Sequence, residues 1–149
     1  MNKIVTALAV SLLFFTCKQP SNYEKMELLL HNQFEFDSLR VIDHIVVINE
    51  LGDCLNCNNS FSVAMSKYIE SENVLFIICG TGSRVDISPY YNSTSNHVIW
   101  DRRNSFNELN MVGSSAIINL KNQKIDSIIE IKLGTRYNDL LPSLSKNKF

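Results

Sequence analysis

The sequence predicts an α/β domain, and three observations carry that prediction. Residues 41-VIDHIVVINE-50 and 73-NVLFIICG-80 are short runs rich in β-branched residues, each with a continuous apolar centre. Between them, 58-NNSFSVAMSKYIES-71 places Phe61, Ala64, Met65, Tyr68 and Ile69 at i, i+3, i+4, i+7 and i+8, the stripe of an amphipathic helix packed on a core. Farther on, 115-SAIINL-120, the polar turn 121-KNQK-124 and 125-IDSIIEI-131 read as a β-hairpin. Strand, helix and strand within about forty residues make a βαβ unit, which implies parallel strands and a right-handed crossover. Unbroken apolar runs, in place of alternation, imply strands covered on both faces.

The remaining elements are shorter. Segment 85-VDISPYYNS-93 is expected as a brief helix interrupted at Pro89, and 97-HVIWD-101 as a short strand. Ser105 followed by Glu108 has the spacing of a capping box. Gly134 precedes a last helix expected at 136–144. Segment 26–40 gives mixed signals and is assigned only as an N-terminal extension.

Composition excludes some function classes. Apolar residues make up 45% of the chain and charged residues 19%, as in a globular domain. Formal net charge is −1 and the basic residues nowhere cluster beyond Arg102-Arg103, so a nucleic-acid partner is not expected. The chain lacks the G-x-S-x-G of serine hydrolases. Segment 80-GTGSR-84 has two glycines without the Lys-Ser/Thr signature of a phosphate loop.

The N-terminus speaks to location. Lys3 is followed by twelve almost uninterrupted apolar residues, Ile4 to Phe15, too short for a span of about 20 residues but the size of a secretory core. The run ends in 14-FFTC-17, and the whole resembles a bacterial lipoprotein signal in which Cys17 is acylated after cleavage. Phe14 stands where such signals usually carry Leu. The resemblance implies removal of residues 1–16, a lipid-bearing Cys17 with a polar tether through residue 25, and a single domain over 26–149. Removing 16 of 149 residues leaves 133, one ordinary domain. An ordinary secreted chain or a plain anchor is the alternative. A lipidated Cys17 places the chain in the cell envelope, facing the periplasm, on the outer membrane in preference to the inner because no acidic residue follows the cysteine. That space is oxidising, and disulfides persist there.

Four cysteines are present, and two of them form 52-GDCLNC-57 between the first core strand and its helix. Such a pair is a redox couple, a permanent staple or half of a metal site. At a helix start, unpaired N–H groups favour a thiolate at Cys54, although the adjacent carboxylate of Asp53 opposes it. Zinc requires four ligands and the pair supplies two. His97, the first residue of a short strand, reads as a surface histidine with an approach to the pair as the alternative, while His31 and His44 carry no ligand spacing, so no metal is assigned. Cys79, inside 74-VLFIIC-79, reads as a buried inert thiol. Tyr90, Tyr91 and Trp100 read as aromatic core, with a substrate surface as the alternative.

With strand, C-x-x-C, helix, strand and hairpin in this order, residues 40–145 resemble the thioredoxin-like superfamily, and within it the membrane-anchored thiol–disulfide oxidoreductases and their peroxiredoxin-like relatives. The resemblance rests on 45-IVVINELGDCLNC-57, 74-VLFIIC-79, 98-VIWDRRNSFNEL-109 and 116-AIINLKNQKIDSII-129. It implies a three-layer α/β/α fold around a mixed sheet of four to five strands. It also implies that Cys54 is the nucleophile and Cys57 the resolving cysteine, joined as a disulfide when oxidised. The partners implied are a protein or peptide thiol or disulfide and an electron-donor protein, with no cofactor.

The chain departs from that family in four places. Asp53 replaces the usual Trp before the first cysteine, and Leu51 replaces the Thr of the peroxidases. The buried aspartate that accepts a proton falls near Ile48. Glu50 is the nearest acidic substitute, although a solvated strand-end charge is its plainer reading. Where relatives have a cis-proline facing the C-x-x-C, this chain reads 111-MVGSSAI-117, and its prolines are Pro20, Pro89 and Pro142. Gly113, Ser114 and Ser115 are therefore the expected substrate-facing loop, in trans, because a cis bond without proline costs about 3 kcal/mol. These departures keep a second function open: a non-catalytic lipoprotein module with a structural disulfide or a partner- or metal-binding role.

Overall fold

The computed structural model describes residues 19–137 and Leu140. The leader, Cys17 and most of the segment expected as the last helix lie outside the described residues. Along the chain come α1 (Asn22–Phe34), β1 (His44–Asn49), α2 (Leu55–Met65), β2 (Val74–Cys79), β3 (Val98–Asp101), β4 (Ala116–Leu120) and β5 (Ile125–Glu130), with short 3-10 turns between them. The strands form one mixed sheet in the order β3-β2-β1-β4-β5. β1, β2 and β3 are parallel, and β4 runs antiparallel to both β1 and β5.

The apolar runs of β1 and β2 are buried because these strands lie inside the sheet with side chains packed on both faces. Alternate residues divide between two cores. Ile45, Val47, Leu75, Ile77 and Cys79 join Met26 and Leu30 of α1 on one face. Val46, Ile48, Val74, Phe76 and Ile78 join Phe61 and Met65 of α2 on the other. Helices thus cover both faces of the sheet.

Four expectations need correction. Residues 22–25 are not tether but the first turn of α1, which extends through most of the segment given only mixed signals. Tyr23, Met26 and Leu30, spaced i, i+3 and i+7, are buried against the sheet, and Ser21 with Glu24 closes a reciprocal capping box. The capping box expected at Ser105 does not form. Residues 105–109 make a 3-10 turn whose first N–H groups, from Ser105 and Phe106, donate to the Asp101 carboxylate at 3.0 and 2.7 Å. α2 is also shifted relative to its apolar stripe. It starts at Leu55, ahead of the first apolar contact, and gives way after Met65 to a 3-10 turn at Ser66–Tyr68. The expected helix around Pro89 is a single 3-10 turn, Ser88–Tyr90.

Candidate functional site: the Cys54–Cys57 disulfide

β1 ends at Asn49, and the chain turns through 50–53 into α2, whose N-cap is Cys54. Cys54 and Cys57 are joined as a disulfide, with their Cα atoms 5.2 Å apart. The Asn58 N–H donates to the Cys54 carbonyl (2.9 Å), which starts the helix ladder. The N–H groups of Leu55, Asn56 and Cys57 belong to the first turn and have no acceptor within the helix, so the positive end of α2 lies at Cys54. The two sulfur residues differ in access. Cys54 is half-buried, whereas Cys57 is 7% exposed and packs with Val46, Ile48 and Phe61. The Tyr137 hydroxyl also donates to the Cys57 carbonyl (3.0 Å). Burial raises the pKa of that hydroxyl, which remains a donor. A thiol or disulfide arriving from solvent therefore meets Cys54 before Cys57.

The floor of the site is polar and buried. A Cβ at Gly52 would lie 2.8 Å from Asn58 Nδ2 and 3.0 Å from Ser114 Cα, so only glycine lets the 111–115 loop seat against the C-x-x-C turn. The Asn58 side chain is fully buried and its Nδ2 donates to the Asn49 carbonyl (3.0 Å), while its Oδ1 has no partner. The Ser115 hydroxyl accepts from the Asn49 N–H (2.9 Å). The Asn49 side chain in turn exchanges hydrogen bonds with Asn107 and accepts from the Leu51 N–H.

The expected substrate-facing loop is only partly on the surface. Gly113 is exposed and its N–H donates to Glu130 Oε1 (2.6 Å). Ser114 is half-buried, and its hydroxyl donates to the Ser115 and Ile131 carbonyls (both 3.2 Å). Ser115 is fully buried, with its carbonyl also taken by the Ile131 N–H, so its side chain faces the fold and not solvent. All peptide bonds among the described residues are trans, including those of this loop.

Glu50 corrects the reading of a solvated strand-end charge. It is 4% exposed, on the α2 side of β1, and its carboxylate accepts from the N–H groups of Thr81 (2.6 Å), Arg84 (3.2 Å) and Val85 (3.4 Å). A side chain at Gly80, where φ is +132°, would collide with that carboxylate. Both oxygens are thus committed to the 81–85 loop, and Glu50 ties that loop to the end of β1. Asp53 is exposed beside the disulfide.

No family model, curated protein or solved structure matches the chain.

Cys79 stands apart from the pair. It lies on the α1 face of the sheet, with Ile77 and Leu75, while Cys57 packs on the α2 face. Its Sγ donates to Asp101 Oδ2 at 3.9 Å, and burial, then the Asp101 charge, pushes its pKa far above the usual thiol range. It is a neutral, inert thiol. His97 also lies away from the disulfide, edge-on to Phe36, and no group of three His, Cys, Asp or Glu among the described residues could hold a metal ion. Tyr90 is core and Tyr91 is exposed, stacked on half-buried Trp100 with ring centroids 5.3 Å apart. No described helix is long and apolar enough to cross a membrane.

The supporting residues Asn49, Gly52, Asn58 and Asn107 were not singled out by sequence. For Asn58 the signal is the unusual run 56-NCNN-59 at a helix start, where poor helix formers persist for a reason other than propensity.

Proposed function

We propose that this chain is a thioredoxin-like thiol–disulfide oxidoreductase of the bacterial envelope, held at a membrane by lipid on Cys17. The observation that carries the reading is the asymmetry of the pair: Cys54 half-buried at the N-cap of α2, Cys57 buried one turn behind it. The strand order, with three parallel strands followed by an antiparallel hairpin, supports the thioredoxin-like assignment. In the reducing direction, the Cys54 thiolate attacks one sulfur of a substrate disulfide, forming a mixed disulfide and releasing the other sulfur as a thiolate. The Cys57 thiolate then attacks Cys54 Sγ, expels the second substrate sulfur and leaves the Cys54–Cys57 disulfide. The substrate gains two electrons and two protons, and a dithiol protein returns them to the pair.

The competing reading is a permanent disulfide, favoured by the exposed Asp53 and the trans, proline-free loop at 111–115. One experiment separates the two. Cys57→Ser is expected to trap mixed disulfides through Cys54 in envelope extracts, and Cys54→Ser is expected to trap none. If neither variant traps a partner and the oxidised pair resists reduction below about −300 mV, the disulfide is structural.

A further inference from the structure

We propose that the end of the sheet opposite the disulfide rests on the membrane surface, so that Cys54 faces away from the bilayer. The proposal rests on the lipid-anchor reading above and concerns what that anchor does to orientation.

Ser21 Oγ accepts from the Glu24 N–H (3.2 Å), the Ser21 N–H donates to the Glu24 carboxylate (2.6 Å), and Tyr23 is already buried. Folded structure therefore begins four residues after Cys17 in sequence. Four extended residues reach about 14 Å at most, so the first turn of α1 must lie close to the lipid surface.

Topology then decides which end of the sheet this is. Ser21 and Glu24 border the same surface cleft as Gln123, Lys124 and Ile125, and Tyr23 borders a second cleft with Arg40, Asp43 and Lys121. The Leu120 N–H donates to the Asp43 carbonyl (2.8 Å), and His44 pairs with Asn119. The start of α1, residues 40–43 and the hairpin turn thus gather at the amino end of β1. The C-x-x-C turn lies beyond the carboxyl end of the same strand, where Gly52 abuts Ser114. The six residues of β1 span about 17 Å, with the disulfide farther out. A spacer shorter than the strand it would have to pass cannot bring the lipid round to the disulfide.

Charge does not set this orientation. Exposed Lys25, Arg40, Lys121 and Lys124 are interspersed with Glu24, Glu27 and Asp43 at the same end. The mixture suits a zwitterionic or anionic headgroup layer without a strong preference, and the short spacer decides. The consequence is a restriction on partners. The disulfide meets soluble proteins, or domains that stand at least the height of the sheet above the bilayer, and it cannot reach a thiol or disulfide lying at the level of the lipid headgroups.

The test uses full-length protein expressed in bacteria, purified from membranes and reconstituted into phosphatidylcholine–phosphatidylglycerol vesicles with nitroxide-labelled headgroups. A maleimide fluorophore is placed on Lys124→Cys or on Arg84→Cys, two exposed positions at opposite ends. The native disulfide and buried Cys79 leave the new cysteine as the reactive thiol. Quenching several-fold stronger at 124 than at 84 is expected, together with an N-terminal fragment whose mass shows an acylated Cys17. Equal or reversed quenching on acylated protein overturns the orientation and leaves the anchor standing. An unmodified Cys17 removes the anchor reading, and the orientation falls with it.

Discussion

At the carboxyl end of β1 the chain buries Asn49, Glu50, Asn58 and Ser115, and at the end of β3 it buries Asp101 and Ser105. At the amino end of β1 the core closes instead on Leu39, Ile42 and Tyr23, where the Tyr23 hydroxyl is the one unpartnered polar atom. Buried polar groups are costly unless hydrogen-bonded, and half-satisfied networks are worse than apolar packing. The carboxyl end nevertheless carries most of the polar interior among the described residues, held by hydrogen bonds to loops and strand ends (Glu50 by the 81–85 loop, Asp101 by the 105–106 turn, Ser115 by β1), with Asn58 Oδ1 and Asn104 Oδ1 left unpartnered. That is where loops converge on the disulfide and where ligands meet parallel strands. The amino end needs no such network because it is only a lid on the core.

The contrast can be broken most directly at Glu50. Glu50→Leu leaves the Thr81, Arg84 and Val85 N–H groups without their acceptor, and a loss of about 3 kcal/mol or more is expected in urea denaturation. Arg40→Ala, exposed at the other end, should stay within about 0.5 kcal/mol. Similar losses for both variants would erase the difference between the two ends.

A smaller effect tests the floor of the site. Gly52→Ala must displace either the Asn58 amide or the Ser114 backbone and should cost about 1–3 kcal/mol. The same substitution should change the rate at which dithiothreitol reduces Cys54–Cys57. An unaltered rate with unaltered stability would mean that the 111–115 loop is not seated against the turn in solution.

The effect that is smallest at its onset, just above pH 9, is on alkaline stability. Burial raises the pKa of both Cys79 and Tyr90, and the Asp101 charge adds to the effect on Cys79. The unfolded chain ionises these groups near 9.0 and 10.0 while the folded chain keeps them neutral. Stability is therefore intact below pH 9 and falls as pH rises, by about 1.4 kcal/mol per pH unit for each group engaged. Denaturation midpoints from pH 8 to 11 should show the onset near 9, and Cys79→Ala should move it to near 10. A variant whose onset stays at 9 would show that Cys79 is not the group responsible.

Much of the scaffold was legible because it depends on local pattern. The β-branched runs of β1 and β2, the stripe from Phe61 and the polar turn at 121–124 each state their own conformation. Two identical local signals show where that ends. Ser21-x-x-Glu24 and Ser105-x-x-Glu108 have the same capping spacing, and only the first caps a helix. At the second, Asp101 comes from a neighbouring strand end and takes the N–H groups first, with Asn104 left-handed at the cap position. Glu50 differs from its sequence reading for a longer-range reason, since its donors lie about thirty residues away in the 81–85 loop, whereas Asp101 lies only four residues from Ser105.

The sequence by itself determined the strands, the hairpin, the helix beside the C-x-x-C and the close spacing of Cys54 and Cys57, because periodicity and short-range geometry depend on neighbours along the chain. Tertiary structure alone decided that Cys57 is buried and Cys54 accessible, that Cys79 lies on the other face, that Glu50 is interior and that Tyr23, Met26 and Leu30 of α1 close one face of the sheet. Each of those depends on which groups from distant segments reach a site first, and the alternation of a strand says only that two faces exist, not what will cover them.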